Sequence, residues 1–376
     1  MTTRPEPVRP APADAAELAA QQRARACVEA WLSQRHPGAR LHAVHTLQRP
    51  AQGHAVFACD LAGPAAPHRQ VIAKCLAVGN FAAVARRTRL VRQAIQAVGT
   101  RVLGAPEVLH IDETHQVLLT APARGEILAS LPADDAARLA EAVARSTTAL
   151  LELHRLPTAT LRDPSEQAGP GVAAHHTAID TQMAELMRPH PADLAERLAA
   201  GAPDAAHDLA HLVERLRQAA APSAELAPCL VHRDGHPRQI FIGESGVDII
   251  DWDLCGLGDP ALDLANLHLH IDLRWPQLGA LLHDTVTRSY GAGSPVHRRV
   301  PLFLAFHHLR RACKAWRQAG SDTSTLGPAT AWLAGATAHL DDHLAGRAAS
   351  HGRAPASPSP GAQAVRPLTE PLELLS

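Results

Sequence analysis

What the sequence lacks narrows its class. No stretch approaches 18 consecutive apolar residues, so no membrane-spanning helix is expected. Residues Met1–Gln22 are polar and carry prolines without an apolar core, so no secretory signal is expected either. Neither sign of charge dominates: 36 Lys+Arg stand against 37 Asp+Glu, a net charge of −1, which argues against a protein that coats nucleic acid. The six cysteines (Cys27, Cys59, Cys75, Cys229, Cys255 and Cys313) form no C-x-x-C pair. That predicts reduced thiols in a cytoplasmic protein. His-Glu-x-x-His and Gly-x-Ser-x-Gly are both missing, which removes the zinc-protease and nucleophile-elbow readings. Lysine is scarce: of the 36 basic residues only Lys74 and Lys314 are lysines. A lysine kept against such a bias marks a position with a specific task.

What is present is enough for two domains. The chain has 376 residues, 46% of them apolar. Prolines before residue 16 and after residue 347 predict flexible tails, 1–16 and 347–376. A helix is predicted from Ala16 to Arg35, with Leu18, Val28, Trp31 and Leu32 as its apolar side and Pro37-Gly38 as its stop. Alternating or apolar runs at 41–47, 55–61 and 70–76, separated by turn-forming stretches, predict three antiparallel strands. A helix over 81–98 and two short strands near 107–111 and 116–120 follow. From Pro132 onward helical spacing dominates: 134–154, 175–188, 192–200, 204–219, and further helices to about 346. A strand-rich island interrupts them at 229–254. The expected division is an N-terminal part, 17–121, and a helical part, 122–346. The class is α+β.

The island carries the chemistry. An apolar strand delivers His232-Arg233-Asp234, a loop reaches Gln239, and Ile240–Ile242 and Val247–Ile250 flank a turn at Glu244-Ser245-Gly246. Gln239 and Asp251 lie six residues either side of Ser245, so a hairpin centred there would set them opposite one another. An amide oxygen and a carboxylate so placed suit a hard cation such as Mg²⁺.

This arrangement resembles the protein-kinase-like small-molecule kinases of the aminoglycoside phosphotransferase and choline kinase group. Their catalytic loop reads His-x-Asp-x-x-x-x-Asn, and a metal-binding Asp closes the following hairpin. The stretch Gly258, Asp259, Pro260, Asp263, Leu264, Ala265 is similar to the same family's Gly-Asp-Pro-x-x-Asp-Leu-Ala. Leu151–Pro157 resembles the end of its first large-lobe helix. The resemblance implies a two-lobed protein-kinase-like fold, with a small antiparallel-sheet lobe and a larger, mostly helical one. It implies transfer of the γ-phosphoryl of ATP, with Mg²⁺, to a hydroxyl of a small molecule: an aminoglycoside, a sugar or another metabolite. By position it makes Asp234 the catalytic base, Gln239 and Asp251 the metal ligands, and Lys74 the contact to the α- and β-phosphates. The stretch 118–125 becomes the hinge, where Thr120, Ala121 and Ala123 would hold the adenine.

The sequence departs from the family's pattern at three points. Gln239 replaces the usual Asn. No Gly-x-Gly-x-x-Gly loop exists. From Leu61 to Pro106 there is no Asp or Glu, so the usual glutamate partner of the lysine is missing and only Gln93 or Gln96 stands in reach along the helix. That keeps a second reading open, a nucleotide-binding pseudokinase acting as scaffold or regulator. Asp253 reads as a structural partner, Asp259 and Asp263 as helix-start caps, and His232 as a holder of the loop. The pairs His268/His270 and His307-His308, and likewise His175-His176, read as packing or surface residues. Arg310, Arg311 and Lys314 read as a solvated helix face, with a substrate-facing basic patch as the alternative.

Overall fold

The structure, a computed structural model, describes residues 15–51, 54–77, 79–158, 179–199, 201–220, 226–319 and 327–350. The tail 1–14, the loop predicted near 164–171, His175-His176 and residues 351–376 lie outside the described residues. The chain divides into two compact units: Met1–Arg92 with Ala105–Ala123, and Gln93–Gly104 with Arg124–Ser376.

The chain opens with α1 (Ala15–Arg35), then β1 (Arg40–Ala51), β2 (His54–Ala62), β3 (Gln70–Cys75) and α2 (Phe81–Val98). β4 (Leu103–Gly104) belongs to the second unit; β5 (Val108–Asp112) and β6 (Val117–Thr120) return to the first. The first unit is built on a five-stranded sheet in the order β1-β2-β3-β6-β5, every neighbouring pair antiparallel. Successive strand side chains alternate between faces. On β3 this buries Val71, Ala73 and Cys75 and leaves Ile72 and Lys74 on the other face. The buried side forms one core with α1 through Trp31, Leu32, Phe57, Val117 and Leu119. The stripe of α1 that enters this core is built largely of small residues, Ala20, Ala24 and Cys27, ahead of Val28, Trp31 and Leu32. Leu18, expected on the apolar side, is exposed. Its place in the 3.6-residue period falls off that stripe.

The second unit continues with β7 (Glu126–Ile127), α3 (Ala136–His154), α4 (Ile179–Leu186), α5 (Pro191–Ala199) and α6 (Pro203–Ala219). After these come β8 (Cys229–Val231), β9 (Ile240–Ile242), β10 (Val247–Ile249), β11 (Gly256–Gly258), α7 (Ala261–Arg274), α8 (Gly279–Tyr290), α9 (Val300–Ala319) and α10 (Gly327–Ser350). α10 runs to Ser350, four residues into the segment expected as a tail. The N-terminus of α3 is capped by Asp135, whose carboxylate accepts from the Arg138 N–H at 3.0 Å. α9 packs on both α7 and α10.

Two small sheets position the island. One has the order β4-β10-β9-β7, with β4 parallel to β10; the other pairs β11 with β8. Close approach makes glycine necessary at two places. A Cβ on Gly104 would lie 2.1 Å from an Asp248 carboxylate oxygen, and one on Gly125, at φ 101°, would lie 2.2 Å from the Ile242 carbonyl oxygen. Asp248 is buried and accepts from the Arg124 backbone N–H at 2.9 Å and its guanidinium at 2.7 Å. This pins the start of the second unit to the middle of the hairpin.

Candidate active site

The hairpin differs from the expected one by a single step. Ile240 pairs with Ile249 and Ile242 with Val247, and the Gly243 N–H donates to the Gly246 carbonyl at 2.9 Å. Only Glu244 and Ser245 are left in the turn, so Gln239 faces Ile250, whose N–H donates to the Gln239 carbonyl at 3.0 Å. A two-residue connection fits the twist of a hairpin better than the three-residue one that the residue count suggested. Asp251 is therefore not opposite Gln239 in register. Its backbone turns left-handed at φ 68°, ψ 59°, and this turn brings its carboxylate back to Gln239, whose Nε2 donates to Asp251 Oδ2 at 3.0 Å. The bond orients the amide, because its nitrogen must face the carboxylate. Gln239 Oε1 is left buried with no hydrogen-bond partner. A buried acceptor in that condition carries an uncompensated desolvation cost. An acceptor-only oxygen beside a carboxylate is the donor set a hard divalent cation takes, so these residues fit Mg²⁺.

The loop before the hairpin is held from below. Asp263, fully buried on α7, accepts the His232 N–H on one oxygen and the Arg233 N–H on the other, each at 2.7 Å. His154 Nε2 reaches the first of these oxygens at 3.1 Å, and its Nδ1 lies 2.7 Å from the Tyr290 hydroxyl. Burial pushes the Asp263 carboxyl up, but hydrogen bonds and charge from His154 and His232 outweigh it and hold it below the ordinary value. Burial likewise keeps the Tyr290 hydroxyl protonated. Asp263 is thus no helix cap: it is the third residue of α7, and both oxygens are used on the loop. Asp259 does act at the helix start, accepting the Ala261 N–H at 2.9 Å.

Arg233 sits at φ 70°, unusual for a residue with a Cβ. Its buried guanidinium donates to Gln182 Oε1 at 2.9 Å and the Leu254 carbonyl at 3.1 Å, and pairs with Glu185 at 2.7 Å. The His232 ring bonds to the Ile250 carbonyl at 2.9 Å and lies 4.7 Å from the Trp252 ring. It holds the loop, as expected. Backbone constraint on the residues before it thus positions Asp234, half-buried, on the loop.

Asp234 is not met by solvent alone. Arg310, on α9, donates to its Oδ1 at 2.9 Å while a second guanidinium nitrogen donates to the Leu186 carbonyl at 3.1 Å. This corrects the expectation of a solvated helix face. The contact joins residues 76 positions apart, and no local pattern announces it. Burial pushes the Asp234 carboxyl up; Arg310 and then His236 outweigh it and hold it below the ordinary value. His268 and His307 are buried, His308 is close-packed, and burial lowers all three, to about 3, about 4 and about 3 respectively.

The structure thus brings Gln239 and Asp251 into direct contact and places Asp234 on the adjoining loop, all within the second unit. Lys74, Thr120, Ala121 and Ala123 lie in the first. Lys74 is half-buried on β3 between Val56 and Leu118. Thr120 ends β6, and the Ala121 N–H donates to the Glu107 carbonyl at 2.8 Å. Gln93 and Gln96 are exposed on α2. A second cluster that no sequence spacing suggested, Cys27, His110 and Asp112, gathers within 4.8 Å. Its carboxylate is already taken up by the His115 N–H at 2.9 Å and the His115 ring at 2.7 Å.

A five-stranded antiparallel unit, followed by a mostly helical unit that carries a His-Arg-Asp loop and an Asp-closed hairpin, defines a protein-kinase-like fold. Solved structures agree. A choline/ethanolamine kinase family protein from Mesorhizobium loti is similar at 19% identity over 81% of this chain and 92% of its own, with a TM-score of 0.52. A thermostable mutant of aminoglycoside phosphotransferase APH(4)-Ia, in ternary complex with AMP-PNP and hygromycin B, is similar at 18% identity over 82% and 98%, TM-score 0.54. ADP-bound aminoglycoside phosphotransferase APH(2'')-Ib is similar at 14% identity over 83% and 98%, TM-score 0.55. No curated protein matches the chain. Residues 77–303 match the phosphotransferase enzyme family, and the chain belongs to that family.

Proposed function

We propose that the protein is an ATP-dependent phosphotransferase that moves the γ-phosphoryl group to a hydroxyl of a small molecule. The observation that carries this reading is the buried, partnerless Gln239 Oε1 beside the Asp251 carboxylate, one strand after the Asp234 loop. Gln239 and Asp251 would hold Mg²⁺, which when bound neutralises charge on the transferring phosphates. Asp234 aligns the acceptor hydroxyl and takes its proton. Its depressed pKa keeps it ionised, and therefore able to accept, across the neutral range. Lys74 is assigned to the α- and β-phosphates. Thr120, Ala121 and Ala123 are assigned to the adenine through the backbone. The Ala121 N–H is engaged with the Glu107 carbonyl, so it is not the group offered. Little covalent work falls to the protein; positioning and charge do most of it.

The similar structures include complexes with AMP-PNP and ADP, which supports a nucleotide ligand here. The test is thermal unfolding with ATP, with and without Mg²⁺, in the wild type and in Asp251→Ala. A Mg²⁺-dependent rise in Tm that Asp251→Ala abolishes, together with a loss of turnover well beyond tenfold, is the expected result. An Asp251→Ala protein with near-normal turnover would sink the metal assignment. One observation favours the second reading, a nucleotide-binding protein without turnover: the absence of any acid between Leu61 and Pro106. ATP binding with no ADP release across varied acceptors selects it.

A further inference from the structure

Basic groups stand on one side of the proposed base. On α9, Arg310 bonds Asp234 at 2.9 Å and Lys314 follows one turn on, while the Arg311 guanidinium lies over the Trp332 ring at 5.2 Å. The Lys314 ammonium is pushed down by burial and then by Arg311, Arg310 and Arg317; Asp234 is the acid that acts on it in the other direction. On the loop and α7, His236, Arg238, His270 and Arg274 line one recess, where the two imidazole rings stand 5.1 Å apart. Among the described residues, Glu185 of α4 is engaged with Arg233 at 2.7 Å and Asp272 of α7 with His283 at 3.0 Å. Asp234 and Asp251 themselves are assigned to the reaction and the metal.

A cationic acceptor would have to approach Asp234 against the guanidinium already bound to it, with Lys314 acting on the same carboxylate. An acceptor carrying a compact oxyanion meets what such a group binds best, an arginine fork able to make two parallel hydrogen bonds. We propose that the acceptor is a hydroxylated oxyanion, a carboxylate or a phosphate ester, whose anionic group is read by Arg310 with Lys314. The proposal deepens the phosphotransferase reading and rests on it. It also gives the Arg310–Asp234 pair a use: the anion takes over the guanidinium, and the released carboxylate turns to the hydroxyl.

The pair competes with the ligand for one guanidinium, so two substitutions move binding in opposite directions. Inorganic phosphate and malonate, titrated calorimetrically into nucleotide-free protein, are the probes, with kanamycin as the cation. At least one anion is expected to bind the wild type. Arg310→Gln should weaken it about tenfold or more, with Arg310→Lys between the two. Asp234→Asn should tighten it severalfold, a gain that a merely structural Arg310 would not give. A response to phosphate alone assigns an ester, a response to malonate alone a carboxylate, and each supports the proposal. It is overturned if neither anion binds, if Arg310→Gln binds as the wild type does, or if kanamycin binds more tightly than both anions. None of those outcomes touches the phosphotransferase reading. Failure of that reading appears separately, as a missing Mg²⁺-ATP response.

Discussion

Two residues with side chains hold left-handed backbone at the site, Arg233 at φ 70° and Asp251 at φ 68°. Each such conformation costs about 1–3 kcal/mol and persists only where the surroundings over-determine it. For Arg233 the surroundings are explicit: its N–H goes to Asp263, and its guanidinium to Gln182, Glu185 and the Leu254 carbonyl. Asp263→Asn keeps the volume but turns an N–H₂ group toward donors that need an acceptor. We expect it to destabilise the protein by about 3 kcal/mol or more, read as a lower urea midpoint at unchanged slope. Activity should fall further than stability alone explains, because His232 and Arg233 would no longer be held. Tyr290→Phe removes only the last link of that chain, the bond to His154, and should cost about 1 kcal/mol. Equal losses in the two variants would contradict the central place given to Asp263.

At the scale of elements, legibility tracked length and locality. The helix over 81–98 and the strands β2, β3, β5 and β6 were readable because their apolar patterns and bounding turns are local. β4 and β7 have two residues each, too few to show a period, and they exist because distant strands complete them. Asp234, Gln239 and Asp251 could be picked out from spacing and family likeness, yet the register that joins them could not. A one-residue change of turn length decided it. Asp263 was visible as a residue and mistaken in role, since both of its loop contacts are tertiary. Arg310 was visible as one of three basic residues on its helix, but its bond to Asp234 was not. The hairpin makes its own prediction. Arg145, from α3, donates to the carbonyl oxygens of Gly243 and, at 3.2 Å, Gly246, closing the turn from outside. Arg145→Met should cost about 1–2 kcal/mol and speed hydrogen exchange at residues 243–249. Protection within α3 itself should hold. Exchange that accelerates equally in α3 and the hairpin would mean that Arg145 supports the whole region and not the turn.

At the scale of the whole molecule, buried imidazoles set the response to acid. His268, His307 and His308 are held neutral by burial, at about 3, about 4 and about 3. The unfolded chain offers the same rings to water, where they take up protons near pH ~6.5. Below that value the unfolded state binds more protons than the folded one, so stability falls as pH falls, and the loss continues until the folded-state values are reached. Each ring contributes about 1.4 kcal/mol per pH unit, so three together withdraw on the order of 4 kcal/mol by pH ~5.5. That is a large share of the roughly 5–15 kcal/mol that holds a typical domain folded. The carboxylates of Asp234 and Asp263, depressed in the folded state, act in the same direction but only below their ordinary range, so they add to the loss at lower pH. Thermal unfolding followed from pH 8 to 5 should therefore show Tm flat above about pH 7 and falling steadily below about pH 6.5. Calorimetry in buffers of different ionisation enthalpy should show about four or more protons taken up on unfolding at pH ~5.5, because burial holds His270 well below its ordinary value too. A Tm independent of pH over that span, with no proton uptake, would mean that these rings are already charged in the folded protein. The packing of His268 beside His283 and of His308 beside His339, at ring separations of 4.4 and 4.7 Å, would then have to tolerate like charges in contact.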